Sequence, residues 1–267
     1  WNDGMDAVGV GGRGESVWLA WFFAHTARRF APLLERSGDK PGAAALLSAA
    51  ARLGRAADRA WDGGWYLRGY FDDGAPLGSA KGRGCRIDSI AQSWAAMCRE
   101  AAPEKVNAAL DAALERLFDR EGGIVKLFDP PFGDGAERAG YIASYGPGFR
   151  ENGGQYTHGA IWLAMACLRT GRRAEGLELL KAVLPRLAPE YGAEPYVIAA
   201  DVYSNSDRYA QAGWSWYTGS AGWFFRVVTG DLLGLAVEDG KLTARPNVPE
   251  GWKFGASLSG AGEVQNK

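Results

Sequence analysis

Residues 1–22 read WNDGMDAVGVGGRGESVWLAWF, a polar, glycine-rich loop that runs directly into an apolar segment. The run of glycines disfavours helix in its first half. The apolar residues of the second half recur at helical spacing, at Val17, Trp18, Trp21 and Phe22. This stretch therefore predicts a polar, glycine-rich loop followed by an amphipathic helix. The helix is expected to end before Gly38.

The same order of long loop and helix recurs along the chain. Helical periodicity and capping residues predict helices over residues 15–37, 41–61, 87–101, 103–118, 155–170, 174–184 and 219–229. Long loops cover residues 62–84, dense in Gly, Asp and aromatic residues, residues 119–152, rich in Gly and Pro, and residues 191–207. Loops of that length are usually functional. The alternation of short turns and long loops, with no strand pattern before residue 234, predicts a mainly α protein, a helical toroid whose long loops gather on one face.

The pattern changes at Gly234. Residues 235–237 and 241–244 alternate apolar and polar side chains around Asp239-Gly240, a strong hairpin turn. We therefore expect two regions: residues 1–232 as the helical part, and residues 233–267 as the beginning of a small β-domain that is truncated.

Composition excludes several classes of protein. The 267 residues are 47% hydrophobic with a net charge of -1, which suits a globular core but offers no basic surface for nucleic acid or an anionic membrane. Three widely spaced cysteines suggest neither a disulfide framework nor a zinc site. No stretch reads as a membrane span or signal peptide. The eleven Trp and ten Tyr beside 38 Gly suit stacking against sugars, although rings at helical spacing are more often core.

Asp3 is the candidate general acid of a carbohydrate enzyme, since a carboxyl group beside the flat face of Trp1 could protonate a glycosidic oxygen. The alternative is that Asp3 bonds its own backbone before Gly4, as Asp often does in turns.

A second cluster is RENGGQYTH, residues 150–158. His158 and Arg150 flank a Gly-Gly turn at the start of a predicted helix and could converge on one anion. A lone histidine is more often a hydrogen-bonded core residue. That interpretation is preferred for His25 and stays open for His158.

A third cluster is GWSWYTGSAGWFF, residues 213–225. Thr218, Gly219 and Ser220 fall where a helix should begin, so that unpaired backbone N–H groups and a hydroxyl could hold an anion. An ordinary Thr or Ser N-cap is the alternative. One acid and two anion-binding elements suit phosphorolysis, because phosphate is already anionic and needs no general base.

At these residues the chain resembles the inverting glycoside phosphorylases of glycoside hydrolase family 94, which include cellobiose and chitobiose phosphorylases. It looks most like the phosphorylase-like C-terminal region of cyclic β-1,2-glucan synthases and the 1,2-β-oligoglucan phosphorylases. Seven motifs carry the resemblance in the family's order: WNDGM, GRGESVWLAWF, FDDGAPLGS, CRIDSIAQSW, PGFRENGGQYTHGAIW, EPYVIAADVYS and GWSWYTGSAGWFFRV.

The resemblance implies an incomplete (α/α)6 barrel followed by the start of a small C-terminal β-domain. It also implies site roles. Asp3 would be the general acid, and His158, Thr218 and Gly219 would hold phosphate.

For the sugar, the resemblance implies contacts from Trp1, Arg150, Glu151 and Tyr156. Arg150 stands where cellobiose phosphorylases tend to have lysine, a like-charged but not equivalent residue.

The expected reaction is phosphorolysis of a β-1,2-glucan or related β-glucoside to α-glucose 1-phosphate, with inorganic phosphate as co-substrate and no metal or organic cofactor. The three cysteines without paired spacing fit a reducing compartment, so we expect a cytoplasmic location. The resemblance allows the cytoplasmic side of an inner-membrane synthase and a homodimer in the full-length protein. The family's N-terminal β-sandwich and early barrel helices are not in this sequence, so we expect a fragment that is inactive in isolation. Two alternatives stay open, an inverting hydrolase with Asp88 or Glu151 as base and a noncatalytic glucan-binding region of a synthase.

Overall fold

The computed structural model describes residues 2–134, 139–216 and 218–266, with the backbone alone at residue 218. All seven predicted helices are present in it. They are α1 (Val17–Arg36), α2 (Lys40–Arg59), α3 (Ser89–Ala95), α4 (Pro103–Leu117), α5 (Thr157–Arg169), α6 (Arg173–Ala182) and α7 (Thr218–Arg226). A π-helical segment, Val227–Leu232, continues α7.

Local chemistry explains where the helices begin. The Ser16 hydroxyl accepts a hydrogen bond from the Leu19 amide at the start of α1, over 3.2 Å. At α2 the Asp39 carboxylate accepts from the Gly42 amide over 2.9 Å. At α3 the Asp88 carboxylate accepts from the Ile90 amide over 2.8 Å. Each cap satisfies one of the backbone donors that a helix N-terminus leaves unpaired.

Helix α3 is shorter than its sequence pattern predicts, because it ends at Ala95 and not at residue 101. The Met97 and Cys98 amides bond to Trp94 and Ala95, three residues back. The chain there has tightened into turns. The Met97 carbonyl lies 3.1 Å from Nδ1 of His25, which confirms the interpretation of His25 as a hydrogen-bonded core residue.

The helices form two layers. Helix α1 packs against α3, α3 against α5, and α5 against α7. Helices α2, α4 and α6 pack behind α1, α3 and α5 respectively. The inner layer is the more deeply buried, since every residue of α3 and nearly all of α5 are shielded from solvent, whereas α2 buries only four small residues.

The structure corrects the expectation that strands begin only after residue 234. In the described part of the chain, nine two-residue strands precede that point: β1 (Glu15–Ser16), β2 (Gly69–Tyr70), β3 (Pro76–Leu77), β4 (Ile87–Asp88), β5 (Phe118–Asp119), β6 (Ile124–Val125), β7 (Phe128–Asp129), β8 (Gln155–Tyr156) and β9 (Asp201–Val202). Strands this short carry no readable alternation of apolar and polar residues.

The short strands pair antiparallel as β1-β2-β3, β4-β7, β5-β6 and β8-β9. Strands β1, β4 and β8 each run directly into an inner helix, α1, α3 and α5. The pairings therefore tie the long loops to the N-terminal ends of the inner helices. That end of the molecule is where the loops gather.

The C-terminal residues form two hairpins. Strand β10 (Leu235–Glu238) pairs with β11 (Lys241–Ala244), and β12 (Phe254–Leu258) pairs with β13 (Gly262–Asn266). The first hairpin turns at Asp239-Gly240, both in the left-handed region, as the sequence predicts. None of the described helices is long and apolar enough to cross a membrane.

Candidate functional site

A cavity of about 540 Å³ opens at the end of the helical layer where α3, α5 and α7 begin. Asp88 immediately precedes α3, His158 is the second residue of α5, and Gly219 is the second residue of α7. All three residues line the cavity. The positive ends of three helix dipoles therefore point toward one space, which favours an anion there.

Asp3 lies on the wall of this cavity, on a short 3-10 turn that spans Asp3–Met5. The turn is held against the loop that follows residue 138: the Ala7 amide bonds to the Ala139 carbonyl over 3.2 Å, and the Asp6 carboxylate accepts from the Tyr141 amide over 3.0 Å. The Tyr141 hydroxyl in turn donates to Oδ2 of Asp3 over 3.0 Å. These contacts position an exposed carboxylate at the cavity.

His158, on α5, lines the same cavity as Asp3. Its ring packs against two tryptophans. The ring centroid lies 4.4 Å from that of Trp162 and 5.8 Å from that of Trp223. Burial among these rings lowers the pKa of His158 to about 4. The imidazole is therefore neutral at physiological pH, and a neutral imidazole can still donate one N–H to an anion.

Gly219 lies directly beside His158. A methyl group built on its Cα would be 3.6 Å from Nδ1 of the histidine, an ordinary contact distance. The start of α7 and the imidazole therefore lie side by side, and the hydrogen atom in place of a side chain at Gly219 leaves the space beside the ring open.

Glu151 and Tyr156 line the same cavity. Arg150 does not line it; its guanidinium lies between two rings, 4.9 Å from the centroid of Tyr145 and 5.6 Å from that of Trp214. Its Nε is 3.6 Å from Oε2 of Glu151. Arg150 is thus not among the residues that line the cavity with His158, whereas the sequence had grouped the two as one anion-binding pair.

Two further cavity residues, Arg68 and Asp88, were not singled out as a pair from the sequence. Their side chains are 3% and 1% exposed, and Nε of Arg68 lies 3.3 Å from Oδ2 of Asp88. Burial raises the pKa of Asp88 even though the arginine opposes it. The only indication of Arg68 in the sequence was the length of the loop over residues 62–84. That length indicated a role at the site but did not identify the residue that would enter it.

Buried amide side chains fix the loops that form the cavity. Gln92 on α3 accepts from the Tyr66 amide and donates to the Tyr66 carbonyl, each over 2.9 Å, two residues before Arg68. Asn152 binds both backbone groups of Phe132 and the carbonyl of Tyr145, over 2.7–2.9 Å. Both amides are fully shielded from solvent. Satisfied buried networks of this kind specify one loop conformation.

Two predicted site residues cannot be placed: Trp1 and the side chain of Thr218 lie outside the described part of the chain. Of the other six predicted residues, Asp3, Glu151, Tyr156, His158 and Gly219 share one cavity. Among residues 2–134, 139–216 and 218–266, no group of three His, Cys, Asp or Glu side chains could hold a metal ion.

Comparison with known proteins gives a consistent answer. Residues 1–234 match the family model of the glycosyl hydrolase 94 superfamily, catalytic domain. The cyclic beta-(1,2)-glucan synthase NdvB of Rhizobium meliloti (strain 1021) is 44% identical over 260 residues, which are 94% of this chain and 9% of that protein. The solabiose phosphorylase of Paenibacillus borealis is 32% identical over 260 residues, 95% of this chain and 34% of the relative.

A more distant relative is the N,N'-diacetylchitobiose phosphorylase of Vibrio proteolyticus, 26% identical over 264 residues, 94% of this chain and 32% of the relative. Among solved structures, a sialidase superposes with a TM-score of 0.60 at 14% identity, over 95% of this chain and 23% of its own length. That likeness concerns the fold alone. In each case the chain spans about a third or less of the protein it matches.

Proposed function

The chain belongs to the glycosyl hydrolase 94 superfamily, and from that membership we propose that it is part of an inverting phosphorylase domain that cleaves a β-glucoside with inorganic phosphate. The substrate is a β-1,2-glucan or a related oligosaccharide, and the product is α-glucose 1-phosphate. The whole protein is then a free phosphorylase or a cyclic β-1,2-glucan synthase. Relatives named for both activities support this proposal.

The observation that carries the proposal is the convergence of Asp3, His158 and Gly219 on one cavity. Their sequence positions are far apart, so the meeting is a property of the fold. The volume of about 540 Å³ falls within the range usual for sites that bind small molecules, about 300–1,000 Å³.

In the proposed reaction the Asp3 carboxyl group gives its proton to the glycosidic oxygen. The bond between that oxygen and the anomeric carbon breaks while an oxygen of phosphate bonds to the same carbon from the opposite face, which inverts its configuration. The shortened glucan leaves as an alcohol. The charged phosphate supplies the nucleophile, so no second carboxylate is needed as a base.

Phosphate would be held by His158, by the backbone N–H groups at Gly219 and by the Thr218 hydroxyl. The low pKa of His158 supports a role as a neutral hydrogen-bond donor. Such a donor orients the anion without neutralising it, and the dipoles of α5 and α7 add attraction. The role of Thr218 rests on the family resemblance alone.

The sugar beside the acid would contact Trp1, Glu151 and Tyr156, and Arg150 would contact substrate through its edge. For Trp1 this too rests on the resemblance. Carboxylate and phenol groups can bind sugar hydroxyls, and aromatic faces can stack on the ring.

The helical layers are proposed as part of an (α/α)6 barrel, with residues 233–267 as the start of a C-terminal β-domain. The inner row α1, α3, α5 and α7 with α2, α4 and α6 behind it supports this. We further propose that the reaction uses no metal or organic cofactor, that it takes place in the cytoplasm, and that the full-length protein can form a homodimer.

The direct test is Asp3→Asn in the complete gene product, assayed for release of glucose 1-phosphate from β-1,2-glucan. A lost general acid should lower the rate by about a hundredfold to ten-thousandfold, with an unchanged circular dichroism spectrum. Asp6→Asn is the matched control, because asparagine keeps the acceptor that holds the Tyr141 amide. Wild-type turnover in Asp3→Asn would remove Asp3 from the mechanism.

An inverting hydrolase is the second candidate, because the cavity also contains Glu151 and Asp88. Product analysis with and without phosphate separates the two activities. A rate that does not depend on phosphate, with free glucose as product, would favour the hydrolase. A noncatalytic glucan-binding region would bind glucan and show no turnover in the complete gene product under either condition.

A further inference from the structure

The short strand β9 lies between the two elements that carry the proposed phosphate ligands. On one edge its residue Asp201 pairs with Tyr156 of β8. The Ala200 carbonyl, directly before β9, accepts from the Thr157 amide over 2.9 Å. His158 is the next residue of α5. The first edge of β9 therefore sets the position of the imidazole.

The other edge of β9 holds the segment that leads into α7. The Gly213 amide donates to the Asp201 carbonyl over 2.9 Å, and the Trp214 carbonyl accepts from the Ala200 amide over 2.8 Å. Gly219 follows Trp214 by five positions. One strand thus separates the start of α5 from the start of α7, and a shift at either edge would change the distance between the imidazole and the backbone at Gly219.

The side chain of Asp201 ties the second edge to β9 once more. Its Oδ1 accepts a hydrogen bond from the Trp214 amide over 3.1 Å, so the carboxylate takes the place of a backbone acceptor. The residue is 1% exposed. Within the described part of the chain, its Oδ2 is buried and has no hydrogen-bond partner. Burial raises the pKa of Asp201, although the Trp214 amide opposes this.

Stability alone does not account for this carboxylate. A buried carboxylate with one unsatisfied oxygen is costly, whereas an apolar side chain would fill the same volume without that cost. Local departures of this kind are expected where a function requires them. The feature that an apolar side chain could not supply at residue 201 is the acceptor for the Trp214 amide.

Gly213 fits directly against the Asp201 carboxylate. A methyl group built on the Gly213 Cα would overlap Cγ, Oδ1 and Oδ2 of Asp201, and these are the three atoms nearest to it. A side chain at residue 213 would therefore displace the carboxylate and break its bond to Trp214. The absence of a side chain at Gly213 is thus part of the same contact.

The segment between Trp214 and α7 needs such support. Trp216 has φ 60, a left-handed conformation that is uncommon for a bulky residue and persists only where the surrounding structure enforces it. Without the bond from Trp214 to Asp201, this segment would relax, and the backbone at Gly219 would leave its place beside His158.

We propose that Asp201 is a positioning residue for phosphate, which fixes the start of α7 against the start of α5 and so sets the spacing between Gly219 and His158. This inference rests on the proposed function, because it takes the two phosphate ligands from there. Asp201 is not among the described residues that line the cavity, so it acts through the backbone that it holds. Misplacement of a reacting group by about 1 Å can cost about a hundredfold in rate.

The test measures phosphorolysis of β-1,2-glucan by Asp201→Ala and Gly213→Ala in the complete gene product, with phosphate and glucan varied separately. We expect kcat/KM for phosphate to fall about tenfold to a hundredfold in each variant. KM for the glucan should change less than about threefold, because the contact acts on the phosphate ligands.

Two further variants separate positioning from a general loss of structure. Asp201→Asn should keep kcat/KM for phosphate within about threefold of wild type, because its amide oxygen can accept from the Trp214 amide. The double variant Asp201→Ala, Gly213→Ala should lose no more than Asp201→Ala alone, because all three atoms that the new methyl group would overlap are then gone.

Asp39 and Gly42 provide the matched control. The Asp39 carboxylate accepts from the Gly42 amide, and a methyl group built on Gly42 would overlap the same three carboxylate atoms. This pair lies at the start of α2, just after α1 ends, at the end of the helical layers away from the cavity. Asp39→Ala and Gly42→Ala should therefore keep the kinetics of wild type.

Equal losses for phosphate and glucan, an unchanged kcat/KM for phosphate, or a loss in Asp201→Asn as large as in Asp201→Ala would overturn the positioning role. Additive losses in the double variant would do the same. Should Asp201→Ala fail to fold, the kinetics of Gly213→Ala and Asp201→Asn decide the question. Failure of the proposed function looks different, because wild type itself would then show no phosphate-dependent turnover, and both proposals would fall together.

Discussion

The Tyr141 hydroxyl donates a 3.0 Å hydrogen bond to Oδ2 of Asp3, although the two residues are 138 positions apart in the sequence. Partial burial and this bond raise the pKa of Tyr141 to about 12, so the phenol keeps its proton throughout the physiological range. A donor fixed on one carboxyl oxygen restricts the rotation of the carboxyl group. The contact therefore both orients Asp3 and stabilises its charged form.

Tyr141→Phe should raise the pKa of Asp3, because a carboxylate loses stabilisation when a donor is removed. Phosphorolysis requires protonated Asp3. The limb of the pH–rate profile where activity falls with rising pH should therefore move to higher pH. The pH dependence of kcat/KM measures this shift. Tyr209→Phe removes a comparable bond from Tyr209 to Asp119 and should leave the profile in place; a profile that does not move in Tyr141→Phe would contradict the coupling.

Gly219→Ala should weaken phosphate binding without harming the fold. The new methyl group would lie 3.6 Å from the His158 ring and occupy the proposed phosphate position. We expect KM for phosphate to rise about tenfold or more, and stability to stay the same or increase by up to about 1 kcal/mol, since alanine favours helix. Gly222→Ala on the same helix meets no atom within 4 Å and should behave as wild type. Similar KM values in both variants would argue against phosphate at Gly219.

His158 should make stability depend on pH. Its pKa is about 4 in the folded protein against an ordinary value of 6.5. Between these values the unfolded chain binds a proton that the folded protein does not, so stability is full above pH 6.5 and falls as the pH drops toward 4, by at most about 1.4 kcal/mol per unit. Urea unfolding of wild type and His158→Gln at both ends of this window isolates the contribution. Parallel losses in the two proteins would refute it.

The same experiment in the presence of phosphate reports on the site. A bound anion favours the charged imidazole, so phosphate should raise the pKa of His158, which proton NMR of the ring can follow. No movement of the titration at saturating phosphate would place the anion elsewhere.

Asn152→Ala should destabilise the protein by about 3 kcal/mol, because it leaves two buried backbone groups and one partly buried backbone group without the hydrogen bonds that the amide now makes. Asn205→Ala also removes two side-chain contacts to backbone, but at an exposed position, and should cost less than about 1 kcal/mol. Chemical denaturation of the two variants gives the comparison. Equal losses would mean that the loop before α5 does not depend on Asn152.

Much of the helical architecture was readable from the sequence. Apolar residues at helical spacing and capping residues such as Ser16 and Asp39 located all seven helices, because helix formation depends on contacts a few residues apart. The end of α3 was wrong by six residues, since the turn after Ala95 is set by contacts with α1, including the one between Met97 and His25. The short strands were not predicted for the same reason, because their pairing partners lie in distant loops.

The sequence by itself determined the residue types of the site and their order on the chain, and the motifs around Asp3, Glu151, His158 and Gly219 were sufficient to indicate a glycoside phosphorylase relative. Only the tertiary structure decided which of them share a cavity. It also placed Arg150 between Tyr145 and Trp214, Tyr141 on Asp3 and Arg68 beside Asp88. The physical reason is range: a helix is encoded by neighbours along the chain, whereas these contacts form only when packing brings separate loops to the same end of the helical layers.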